Sequence, residues 1–213
     1  MKFWISALLV IPAMLGDDWP APQIREVFSQ SREFFVRVNP GSSIGDTVGF
    51  GNSPKGPYAN AEFYRRQPDR SYRLTATVLL QNPVAPVEFF VTNGGMLITL
   101  DNWHNNGYGK VVVFYGPNGD PIRSYTLADL FSPDEIRAFS HSVSSIAWRQ
   151  SLKAYVRSGD ETFYITGNQP GAGFVFEVNS GAYQYCEHRA ENFLCRDSNT
   201  NRKWKAYREP AAK

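Results

Sequence analysis

The segment from residue 101 to residue 109 concentrates side chains that could bind a ligand. It carries an acid, an imidazole, two aromatic rings and three amides. Aromatic stacking combined with hydrogen bonds from amides and an acid suits a saccharide, a peptide or another polar ligand. Loops on a rigid β scaffold often hold such residues. The sequence therefore predicts a binding site formed by Asp101, Asn102, Trp103, His104, Asn105 and Tyr108. The alternative is structural: Asp101 caps the loop backbone and Trp103 fills the core.

Catalysis has weaker support in the sequence. His104, His141 and His188 are far apart and none has a metal-ligand partner at short spacing. A phosphate-binding glycine loop and a dinucleotide motif are both missing from the sequence. We therefore expect no catalytic residue, no metal and no cofactor. The alternative is a secreted hydrolase in which His104 or His141 acts as the base beside Asp101.

Charge is informative about partners. The net charge of +2 is too small to predict a surface for nucleic acid. One local cluster interleaves Arg65, Arg66, Asp69, Arg70 and Arg73 around a turn, and it predicts a solvated surface whose opposite charges pair.

The two ends of the chain indicate its compartment. Residues 1–16 combine Lys2 with an apolar run that is too short to span a membrane, as in a signal peptide. No later run of eighteen apolar residues occurs, so we expect no integral membrane segment in residues 17–213. Cys186 and Cys195 are the only cysteines, and in an exported chain they predict a disulfide. The expected location is extracytoplasmic, either periplasmic or secreted.

Short β-branched and aromatic segments separated by Gly, Pro, Asn and Asp predict a β protein. An internal echo organises these segments: Glu-Phe-Phe-Val at 33–36 recurs at 88–91, and more weakly as Lys-Ala-Tyr-Val at 153–156. Each copy is followed by a turn and then by further strand-like segments. The second strand-like segment of each unit lies at 46–50, 96–100 and 162–166. The chain thus predicts one β domain of three four-stranded antiparallel meanders, at roughly 33–80, 88–125 and 153–185. One short helix is expected after Ser132, which is followed by Pro133 and Glu135 as in a capping box.

Four-stranded units at this period resemble the blades of a β-propeller. The resemblance implies blades arranged around an axis, as a closed ring or an open arc. Propellers usually have at least four blades, so a hairpin formed by 193–195 and 203–207 could begin another blade with the segment before Ser31. A β-sandwich or barrel built from the same strands is the alternative.

Together these features favour binding over catalysis. The function predicted from the sequence is that of an extracytoplasmic binding or interaction protein, or a scaffold. Its expected partner is a protein, peptide or saccharide that the sequence does not identify, and the hydrolase described above is the alternative.

Overall fold

A computed structural model describes residues 19–157, 159, 162–167, 172–189, 192–198 and 205–206. The predicted signal segment lies outside these residues. The strands are β1 (Arg25–Phe28), β2 (Phe34–Asn39), β3 (Asn60–Arg66), β4 (Tyr72–Leu79), β5 (Pro86–Val91), β6 (Leu97–Asn102), β7 (Val112–Tyr115), β8 (Pro121–Tyr125), β9 (Lys153–Arg157), β10 (Thr162–Thr166), β11 (Gly173–Glu177), β12 (Tyr183–Arg189), β13 (Asn192–Asp197) and β14 (Lys205–Ala206). The helices are α1 (Leu127–Leu130) and α2 (Pro133–Ala138). Within the described ranges, no helix is long and apolar enough to cross a membrane.

The strands form three antiparallel sheets, and in each sheet the spatial order follows the chain order. Sheet 1 contains β1–β4, sheet 2 contains β5–β8, and sheet 3 contains β9–β13 with the two-residue strand β14 at its edge. The all-β prediction of three antiparallel meanders is therefore confirmed. Tight turns suit this topology, and Gly119 has the positive φ of 84° that the turn between β7 and β8 requires.

The two central strands of sheet 2 are covered on both faces. Every residue of β6 and β7 is buried. Ile98 and Phe114 belong to an apolar core shared with sheet 3, whereas Leu97 and Tyr115 belong to a second core shared with sheet 1. Two-sided burial explains why consecutive positions are apolar at Leu97–Ile98 and throughout β7, instead of alternating with polar residues.

The first strands of the three sheets lie next to one another, with β1 and β9 both in contact with β5. The guanidinium of Arg25 donates to the carbonyls of Pro86, at 2.5 Å, and Val87, at 2.9 Å. At the other end, the backbone N–H of Ser31 donates to Oδ1 of Asn93. β1 and β5 therefore run side by side in the same direction. The described residues form no closed ring, so the resemblance to a propeller extends only to the three meanders.

The first meander differs from the prediction. Residues 46–50 are not its second strand: they leave a 3-10 turn, Ile44–Asp46, within the long connection between β2 and β3. Local hydrogen bonds hold this turn, since the Ser43 hydroxyl donates to Asp46 and the Thr47 hydroxyl donates to the Ile44 carbonyl. Such side-chain bonds compete with strand pairing. The echo segment at 33–36 falls on the second strand, and β1 precedes it.

The last hairpin also differs from the prediction of a fourth blade. β13 pairs with β12 and β14 pairs with β13, so both extend sheet 3. Cys186 and Cys195 face each other directly across β12 and β13 and are joined by a disulfide, as predicted. The cross-link ties the added strand to the third meander.

The helical segment contains two short helices instead of one. Ser132 and Glu135 form the predicted capping box at the start of α2. α1 was not predicted, although Thr126 and Asp129 cap it in the same way. A threonine with an aspartate three residues later carries the signal that could have identified it.

Candidate functional site

Asp101 is the organising residue of the predicted loop. It is 1% exposed, and its Oδ1 accepts hydrogen bonds from the Trp148 indole, at 2.8 Å, and the Gly107 backbone, at 3.0 Å. Its Oδ2 accepts from Nε of Arg149 at 2.6 Å. Burial opposes the charged form of Arg149, but Asp101 and Glu88 together raise the pKa of its guanidinium. Asp101 therefore fastens the end of β6 to residues 148–149.

The amides of Asn102 and Asn105 form hydrogen bonds within the protein, both inside the loop and to neighbouring segments. Nδ2 of Asn102 donates to the Tyr108 carbonyl at 2.7 Å, and its Oδ1 accepts from Nδ2 of Asn82 at 2.8 Å. Asn105 pairs with both backbone groups of Val48: its Oδ1 accepts from the N–H, and its Nδ2 donates to the carbonyl. Both asparagines are buried. The sequence places these amides in the loop, but the structure directs them to backbone groups from three segments.

Trp103 and His104 lie on the opposite, partly exposed side of the loop. The Trp103 ring lies 5.3 Å from that of Trp19, and its Nε1 donates to the Pro20 carbonyl at 3.1 Å. His104 lies 5.7 Å from both Trp19 and Phe50. Burial lowers the pKa of His104, so its imidazole is neutral near pH 7. These rings form a surface cluster on which residues 19–20 dock.

The structure therefore divides the six predicted site residues into three groups. Asn102, Asn105 and Tyr108 line one small cavity of about 200 Å³. Trp103 and His104 lie in the aromatic surface cluster, and Asp101 lies in the interior. Pockets that bind small ligands usually have volumes of about 300 to 1,000 Å³. Ligand binding by this loop stays a prediction, and its partly exposed rings are the main support for it.

Sequence reasoning missed a second site, which we call the axial groove. It is a pocket of about 300 Å³ between the first strands of the three sheets. Its aromatic and polar lining comprises Phe28, Gln30, Phe90, Thr92, Asn93, Tyr155 and Arg157. Each sheet supplies one aromatic ring. Phe28 and Tyr155 are 41% and 43% exposed, which is high for side chains of this size.

A signal for the axial groove is present in the repeat. Phe90 and Tyr155 occupy the same place in the echo, the third of its four residues. Phe35 holds that place in the first copy, but this copy forms β2, and Phe28 of β1 contributes the ring instead. Recognising the groove from sequence would have required knowing that the first meander begins one strand earlier.

Comparison of the chain with known protein families, with curated proteins and with solved structures gives no match. The function is therefore inferred from geometry alone. In the part of the chain that the structure describes, no three His, Cys, Asp or Glu side chains are grouped closely enough to hold a metal ion.

Proposed function

We propose that this protein is an extracytoplasmic binding protein whose axial groove receives an extended peptide segment. One observation carries the proposal: the groove is bounded by the first strand of every sheet and contains an aromatic ring from each of the three. A peptide is the ligand class that uses both features, the strand edges and the rings.

The strand edges favour a peptide backbone. β1, β5 and β9 each pair on one side only among the described strands, so their other edges are not part of a β ladder. Exposed edges are templates for an added strand, which binds through its main chain. Arg25 already occupies the carbonyls at the start of β5. The segment beyond Val87, which leads to Phe90, is where a peptide would pair.

The ring positions favour a large side chain on that peptide. Phe28, Phe90 and Tyr155 offer faces and edges for an aromatic or aliphatic group, and aromatic contacts add to the energy of the buried area. Gln30, Asn93 and Arg157 provide polar groups at the same groove. An apolar lining with a few polar groups is typical of a specific binding pocket.

The disulfide supports the compartment. Cys186 and Cys195 are paired, and the described residues contain no free cysteine. Persistent disulfides belong mainly to oxidising compartments. This agrees with the predicted signal segment and with an extracytoplasmic location.

The hydrolase alternative has less support. Both carboxylate oxygens of Asp101 are engaged by Gly107, Trp148 and Arg149. Among the described residues, neither His104 nor His141 donates to them; Nε2 of His141 lies 3.0 Å from a backbone carbonyl instead. A histidine that acts as a general base beside Asp101 would need this carboxylate within hydrogen-bond reach.

The experiment is selection of ligands from a random twelve-residue peptide library, followed by affinity measurement on purified variants. Tyr155→Ala removes a half-exposed ring from the groove. Selected peptides are expected to bind it at least tenfold more weakly than wild type, because loss of one central aromatic contact commonly weakens binding by that amount. Phe90→Ala tests the ring from sheet 2, provided that its melting curve shows a folded protein.

Ile122→Ala is the matched control, since Ile122 is a strand residue that is 39% exposed and lies outside the groove. It should bind the selected peptides as wild type does. Equal binding by Tyr155→Ala and wild type would contradict the proposal. A parallel saccharide panel separates the ligand classes: if only saccharides bind, the peptide interpretation is wrong.

A further inference from the structure

A third concave region lies at the end of the β3–β4 hairpin and shares no lining residue with the axial groove. We call it the basic concavity. Its volume is about 870 Å³. Its charged lining consists of Arg65, Arg66, Arg70, Arg73 and Glu33. Four arginines against one glutamate give a local charge of +3, whereas the whole chain carries +2.

The predicted pairing of opposite charges in this cluster is largely wrong. Arg66 alone among the four has an ion pair within the described structure, and its Nη1 lies 3.6 Å from Glu33. The expected partner, Asp69, is turned to Ser71, whose hydroxyl donates at 2.6 Å and whose N–H donates at 2.9 Å. These bonds lower the pKa of Asp69 without involving an arginine.

Arg65 and Arg73 face each other directly across β3 and β4. Like charges in opposed positions of an antiparallel pair are destabilising. The only described contact that offsets the charge of Arg65 is the ring of Phe34, 5.7 Å from its guanidinium carbon. The pair therefore lowers stability in the free protein, and an anion placed between the two guanidinium groups would relieve it.

We propose that the basic concavity binds a ligand carrying phosphate groups with at least two negative charges. Guanidinium groups bind phosphate oxygens through paired hydrogen bonds, which is the geometry that arginine supplies better than lysine. The source of the phosphate is either a soluble polyphosphate ester or the headgroup of an anionic lipid. The two share the chemistry that the arginines recognise.

The size of the concavity indicates that the ligand extends beyond its phosphates. A volume near 870 Å³ lies toward the upper end for small-molecule sites. Leu74, which is 47% exposed, and Pro68 add apolar surface beside the arginines. Gln67 adds a polar group to the lining. The ligand is therefore expected to carry an uncharged portion next to its anionic groups.

The test is calorimetric titration of the full chain with sodium tripolyphosphate at about 50 mM salt, where screening is weak. Arg65→Gln combined with Arg73→Gln is expected to weaken binding at least tenfold. Arg65→Lys combined with Arg73→Lys keeps the charge but loses the planar fork, and it should show a smaller loss. Without tripolyphosphate, the glutamine variant should melt no lower than wild type, because it removes a repulsive pair.

The control is Arg137→Gln combined with Lys153→Gln, which removes the same charge from exposed positions outside the concavity. It should bind tripolyphosphate within twofold of wild type. Co-sedimentation with vesicles that contain cardiolipin, whose headgroup carries two phosphates, or with phosphatidylcholine vesicles identifies the source. Arginine-dependent sedimentation with the cardiolipin vesicles alone supports a lipid headgroup, and tripolyphosphate binding without sedimentation supports a soluble ligand. Failure to bind either probe, or an equal loss in the control, would overturn the proposal.

Discussion

Replacing Asp101 by alanine is expected to lower the free energy of unfolding by about 3 to 5 kcal/mol. The substitution leaves the Trp148 indole and the Gly107 N–H without their acceptor, and an unsatisfied buried donor costs about 1 to 3 kcal/mol. The side chain of Arg149, only 16% exposed, would retain Glu88 as its one remaining ion-pair partner among the described residues. Alanine is also disfavoured at the φ of 55° that Asp101 adopts, by about 1 kcal/mol. These contributions overlap, because the groups form one network.

The measurement is urea denaturation at pH 7, followed by tryptophan fluorescence. Asp101→Asn is the informative second variant, since asparagine keeps the shape, tolerates a positive φ and retains one acceptor. It should lose less stability than alanine. Asp134→Ala is the matched control: Asp134 pairs with Arg137 at the surface, and its loss should change stability by no more than about 0.5 kcal/mol.

A loss below about 1 kcal/mol for Asp101→Ala, or a loss no greater than that of Asp134→Ala, would refute the assignment of Asp101 as a structural centre. If the alanine variant stayed stable but lost binding to a peptide or saccharide that wild type binds, the loop at 101–109 would be a binding site after all.

Three further predictions concern the disulfide, a loop glycine and a titrating carboxylate. Denatured, unreduced protein should show no free thiol, and reducing Cys186–Cys195 should cost about 2.5 kcal/mol for a loop of this length; two thiols per chain would contradict the pairing. Gly107→Ala should destabilise more than Gly49→Ala in thermal melts. Both have positive φ, but only at Gly107 would the new Cβ lie 2.7 Å from neighbouring atoms, so equal losses would refute the packing argument. Burial opposes the charged form of Glu135, but capping hydrogen bonds and a nearby arginine hold its pKa below the ordinary 4.5. The stability that wild type gains over Glu135→Gln should therefore be present at pH 7 and shrink as the pH falls below 4.5. A stability difference that stayed constant down to pH 3 would contradict the lowered pKa of Glu135.

Local patterns in the sequence were sufficient for much of the secondary structure. The strand that contains residues 88–91 and the capping box at Ser132 each depend on residues a few positions apart. The disulfide was predicted from the expected compartment and from the short separation of the two cysteines in sequence. The interactions that decide these features join residues close together in sequence, so the local sequence pattern is sufficient to predict them.

Features that depend on distant partners were decided by the tertiary structure. The apolar segment at 46–50 could have paired as a strand, but side-chain bonds of Ser43 and Thr47 favoured a turn.

Asp101 became a structural centre because Trp148 and Arg149, more than forty residues later, fold against it. The axial groove and the basic concavity arose in the same way, from three strand edges meeting and from Asp69 turning to Ser71 instead of an arginine. The type of a residue determines which interactions its side chain can make. The partner that it finds is set by which segments the sheets bring together, because hydrogen bonds and ion pairs act only over a few ångströms.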